Sequence, residues 1–84
     1  MEKRYFIALD TELKTELACN YGECITTVEI PGRIISLFLL DWFFVEIHID
    51  NNKKKLLEVN IQDDPDILYA YLEDLDLNDL LALN

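Results

Sequence analysis

The sequence predicts an α+β fold, an antiparallel sheet of about four to six strands followed by one or two helices packed across one of its faces. Three observations carry this. Apolar residues alternate with polar ones through much of the chain up to Ile61. Two such runs meet at Asp50-Asn51-Asn52-Lys53, a stretch of turn formers. Beyond them, Asp64-Pro65-Asp66 has the composition of a helix start.

Taken in order, Lys3 to Leu9 sets Tyr5, Ile7 and Leu9 at every second position and reads as a first strand. Thr11 to Cys19 fits two periods. Leu13 and Leu17 stand a helical turn apart, while Leu13, Thr15, Leu17 and Cys19 alternate against Glu12, Lys14 and Glu16. The weak helix formers Thr15 and Cys19 tip this reading toward a strand. Asn20-Tyr21-Gly22 is a turn, Cys24 to Ile30 is rich in β-branched residues, and Pro31-Gly32 ends that strand.

Ile34 to Asp50 is almost without polar relief and would span roughly 55 Å if extended, longer than an ordinary strand. A bend or bulge near Asp41 is expected. After it, Phe43, Val45, Ile47 and Ile49 face one way and Phe44, Glu46, His48 and Asp50 the other. Lys55 to Ile61 returns with Leu57, Val59 and Ile61 on one face, closing a hairpin. In the helix that follows, Ile67, Leu68, Tyr71, Leu72 and Leu75 form one stripe. The phase then breaks, which predicts a kink near Asp76 to Asn78 and a short second helix with Leu80, Leu81 and Leu83.

The chain of 84 residues has the size of one small domain, 1-84. It is 51% hydrophobic yet carries a net charge of −10, a combination that argues against disorder. The acidity disfavours phosphate backbones and anionic membranes, so no direct nucleic-acid partner and no membrane are expected. No signal peptide is expected at the N-terminus, and the apolar run is too short for a spanning helix, which places the protein in the cytoplasm with Cys19 and Cys24 reduced.

Charge is unevenly distributed. Up to Lys55, nine acids face seven bases, whereas from Leu56 onward Glu58, Asp63, Asp64, Asp66, Glu73, Asp74, Asp76 and Asp79 face no base. Asp63, Asp64, Asp66, Glu73, Asp74, Asp76 and Asp79 form a candidate docking surface for a basic protein partner, set against the plainer reading of a solvated helix face with capping acids. Asp74, Asp76, Asn78 and Asp79 do not make a calcium loop, because the sixth position is Asp79 where glycine is required.

Catalytic equipment is sparse. His48, flanked at two-residue spacing by Glu46 and Asp50, is the single histidine, and a surface side chain is the plainer expectation for it. Cys19 and Cys24 lack redox or zinc spacing, so neither a metal nor a cofactor is expected. Lys53, Lys54 and Lys55 read as a solvated hairpin tip that discourages edge-to-edge pairing.

The apolar run places large side chains on both faces of one strand, which a single helical layer cannot cover. A second copy of the chain is the simplest lid, with Ile35, Leu37, Phe38, Leu39, Trp42 and Phe44 at a homodimer interface. No motif is long enough to carry a family resemblance. Three functions follow: first a non-catalytic acidic protein-binding module, such as an inhibitor, antitoxin or immunity-type protein. A homo-oligomeric accessory protein whose acidity serves solubility comes second, and a small enzyme or ligand-binding protein using His48 third.

Overall fold

The computed structural model describes residues 1–73. Two helices, α1 (Lys3–Ile7) and α2 (Thr11–Tyr21), precede four strands, β1 (Glu23–Ile30), β2 (Arg33–Leu40), β3 (Phe43–Asp50) and β4 (Leu56–Gln62), and α3 (Pro65–Leu72) follows them. The strands form an antiparallel meander in the order β1-β2-β3-β4. The fold is α+β. The expected second helix at Leu80 to Leu83 lies outside the described residues.

Both N-terminal segments are helices, not strands. In α1 it is Phe6 that is buried, edge-on to Phe43 at 5.5 Å between ring centroids, while Tyr5 and Ile7 point outward. The alternating face was therefore the wrong one, because Tyr5, Phe6 and Ile7 are all apolar and their alternation has no polar counterphase. In α2 the side chain of Asp10 accepts a hydrogen bond from Leu13 N at 2.9 Å and caps the helix. Thr15, a poor helix former when exposed, donates its hydroxyl to Thr11 O at 2.9 Å. At the far end, a Cβ on Gly22 would lie 2.6 Å from Ala18 O and 3.2 Å from Leu39 O. Glycine is thus required where the helix hands over to β1.

The break expected near Asp41 is a full reversal. Leu40 pairs with Phe43, so Asp41 and Trp42 form a two-residue hairpin turn, with Asp41 in the left-handed region at φ 55°. The apolar run therefore becomes two neighbouring strands, which removes the problem of excess length. The β3–β4 hairpin forms as expected, with Asp50 Oδ1 accepting from Asn52 N at 2.8 Å and Lys53 N at 2.9 Å. Its left-handed residue is Lys54, at φ 56°, not one of the asparagines. In β4, Val59 is buried, Ile61 half-buried, and Leu57 exposed.

Helices cover both faces of the sheet. On one, Phe6 and Ala18 meet Leu40, Phe43, Val45, Ile47 and Val59. On the other, Ala70 and Tyr71 of α3 meet Ile35 and Leu37, with Val28, Ile30, Phe44, Ile67 and Leu68 around them. The lid that the sequence assigned to a second copy is supplied by α1 and α2, the segments read as strands.

Candidate functional site

The sheet face beneath α3 is not wholly apolar. Antiparallel register puts Ile35 opposite His48 and Leu37 opposite Glu46 on one side, and Glu58 opposite His48 and Asn60 opposite Glu46 on the other. His48 and Glu46 are 4% and 3% exposed, so the histidine is a buried group, in contrast to its expected place at the surface. Glu46 shares its face as expected. Asp50 instead serves the hairpin turn.

A chain of hydrogen bonds satisfies these buried groups. Arg33 Nη1 lies 3.1 Å from His48 Nδ1, and His48 Nε2 lies 3.0 Å from Glu46 Oε1. Arginine has no acceptor, so Nδ1 accepts from it and Nε2–H donates to the carboxylate. The other oxygen, Glu46 Oε2, accepts from Gln62 Nε2 at 3.0 Å and from the Tyr71 hydroxyl at 2.7 Å. Glu58 stands at the rim, 3.7 Å from Arg33 Nη1 and 3.8 Å from His48 Nε2, and accepts from Asn60 Nδ2 at 2.9 Å. No buried side-chain nitrogen or oxygen among the described residues lacks a partner.

Electrostatics follow from this geometry. Burial alone would raise the Glu46 carboxyl, but hydrogen bonds from His48, Tyr71 and Gln62 together outweigh it and hold the group below its ordinary value. Burial pushes the Tyr71 phenol up, reinforced by its bond to Glu46 and the carboxylate's negative charge. Glu46 is thus a carboxylate and Tyr71 a neutral donor near neutral pH. The pair ties α3 to β3.

Asp63, Asp64, Asp66 and Glu73, the described members of the expected docking surface, are all exposed and their carboxylates lie outside this network. Asp63 is exposed in the β4–α3 connection, 3.7 Å from Lys3 Nζ. Asp64 caps α3 by accepting from Asp66 N at 2.9 Å, and its own N–H donates to Gln62 Oε1 at 2.9 Å. Asp66 and Glu73 are exposed at the two ends of the helix. Asp74, Asp76 and Asp79 lie outside the described residues. Between Asp66 and Glu73, Tyr69 is 58% and Leu72 is 70% exposed. Leu72 was expected on the buried stripe, but that stripe is carried by Ile67, Leu68, Ala70 and Tyr71.

Of the residues expected at an oligomer interface, Ile35 and Leu37 are enclosed under α3, and Phe44 packs beside them. Phe38 packs against the opposite core, and Leu39 is half-buried. Trp42 alone of the six is well exposed, at 64%, with Lys3 Nζ 5.1 Å from its ring centroid. The amino group of Met1 pairs with Asp41 in the same turn.

Sequence reasoning found Glu46 and His48 but missed Arg33, Gln62 and Tyr71. Tyr71 had been absorbed into the apolar stripe, although a phenol that enters a core brings a hydroxyl needing a partner. Among the described residues, no group of three or more His, Cys, Asp or Glu side chains is placed to hold a metal ion, and no helix is long and apolar enough to cross a membrane. No protein-family model, curated protein or solved structure gives a match to this chain.

Proposed function

We propose that the chain is a non-catalytic protein-binding module that docks a basic partner through the outward face of α3. The observation that carries this reading is the placement of Tyr69 and Leu72, both exposed, between the carboxylates of Asp66 and Glu73 on one short helix. An aromatic and an aliphatic anchor ringed by like charge suit a partner with a small apolar pocket in a basic surround. Asp63 extends the same charge around the start of the helix, while Asp64 is committed to its cap. Asp74, Asp76 and Asp79 add to the charge in sequence. Small inhibitors, antitoxins and immunity-type proteins work in this manner.

The state of His48 supports the non-catalytic part. Both ring nitrogens are engaged inside the molecule, so neither is free for a substrate proton. Free Cys19 and Cys24, both exposed, suit a reducing cytoplasmic setting.

The test is kinetic. With a partner isolated by affinity capture on the whole chain, association is followed by stopped flow at several salt concentrations for the wild type and for Asp66→Asn/Glu73→Gln. The variant should associate more slowly at low salt and lose part of the salt slope, whereas Tyr69→Ala/Leu72→Ala should accelerate dissociation. Identical salt slopes and dissociation rates in all three proteins would sink the proposal.

A further inference from the structure

The two edges of the sheet are not alike. β4 begins directly after Lys53, Lys54 and Lys55, three cations that repel an approaching copy of the same edge. β1 contains neither lysine nor proline from Glu23 to Ile30, and Ile25, Thr26, Thr27, Val28 and Ile30 give it high strand propensity. Among the described residues, β2 is the only strand paired with it and no backbone hydrogen bond reaches its outer side. A bulge between Cys24 and Thr26 interrupts its ladder, so the regular part of the edge runs from Thr26 to Ile30, with Val28 at its midpoint.

We infer that two copies of the chain join through β1, antiparallel, about a two-fold axis passing beside Val28, so that the two sheets become one. A two-fold axis normal to the sheet leaves each side chain on its own face, which restricts the registers to those centred on a residue. Centring on Glu29 would oppose Glu29 to its own copy, and centring on Thr26 would oppose Glu29 to Glu23. Centring on Thr27 draws the bulged Ile25 into the ladder opposite Glu29. Centring on Val28 avoids both faults. It sets Val28 against Val28, Thr26 against Ile30, and the hydroxyl of Thr27 against the carboxylate of Glu29.

Burial agrees with this register. Thr26, Val28 and Ile30 are half-buried on the face beneath α3, where Val28 and Ile30 border the core of Ile35, Leu37, Ala70 and Tyr71. Pairing at the edge covers their open side and continues that core across the axis. This inference is independent of the α3 docking surface and concerns another part of the molecule.

Sedimentation equilibrium at physiological ionic strength should give twice the 9.9 kDa chain mass in the micromolar range. For register, Cys19 and Cys24 are replaced by serine, and Val28→Cys is introduced as a near-isosteric change. At the axis its Cβ lies within about 5.5 Å of its mate, close to disulfide range, so mild oxidation should give a covalent dimer nearly completely. Thr26→Cys alone should not link to itself, because its two copies stand about 14 Å apart along the strands. It should link when mixed with Ile30→Cys. A monomer throughout the micromolar range overturns the inference, and so does a dimer in which Thr26→Cys links to itself as readily as Val28→Cys.

Discussion

Glu46 concentrates the consequences at the residue scale, since its two oxygens join β3, β4 and α3 through His48, Gln62 and Tyr71. Tyr71→Phe removes a donor to a charged acceptor without opening a cavity, and it should lower stability by about 1.5 to 3 kcal/mol in urea unfolding. The pH dependence has two arms. The folded carboxyl of Glu46 lies below its unfolded value, so its stabilisation is complete above the ordinary carboxylate range and is lost as pH falls through the folded value. Glu46→Gln should flatten the acid side of the stability curve, which unfolding midpoints measured between neutral pH and the carboxylate range will check. For Tyr71, raised when folded, stabilisation is complete below about pH 10 and declines as pH rises beyond it. Tyr71→Phe should accordingly flatten the alkaline side. Glu46 and His48 were legible in sequence as two polar residues on an apolar strand. Their burial was not, because it depends on Arg33 and Tyr71 arriving from β2 and α3, which no local pattern announces.

Elements differ in how much of themselves they reveal. The β3–β4 hairpin and the start of α3 were readable because their signals are chemical: turn residues that bond their own backbone, and a capping carboxylate followed by proline. The N-terminal helices were not, since Tyr5-Phe6-Ile7 has no single period and Thr15 and Cys19 weaken the helical case for α2. Asp10 was the available clue, lying directly before Thr11 as a cap. Misreading these helices had a further effect, because it left one face of the sheet without a cover and called for a partner there. The α2–β1 junction makes a firm prediction. Gly22→Ala would drive a methyl into Ala18 O, and overpacking of this kind should destabilise the fold by about 1 to 3 kcal/mol, read from the thermal midpoint. Asp64→Ala should cost about 0.5 to 2 kcal/mol through loss of the α3 cap, with the urea midpoint as its measure.

For the molecule as a whole, the charge of −10 is a standing source of self-repulsion. Added sodium chloride should therefore raise the thermal midpoint over the range in which the Debye length shrinks from about 30 Å to about 8 Å. The bond between Tyr71 and Glu46 is shielded from this screening, so Tyr71→Phe should move the midpoint down without altering its dependence on salt.

Trp42 gives the molecule an unusual optical character. The sole indole sits at the β2–β3 turn, largely in water, in a T-shaped pair with Phe43 and with a lysine ammonium over its face. Its emission should already resemble that of an unfolded chain, and a small soluble quencher should reach it freely in the native state. Intrinsic fluorescence will thus report on the hairpin tip and on Lys3, and a denaturation curve drawn from it will show little of the core melting. The near-ultraviolet dichroism of Phe6, Phe43 and Tyr71, rings locked in the interior, is where the loss of tertiary order will be visible.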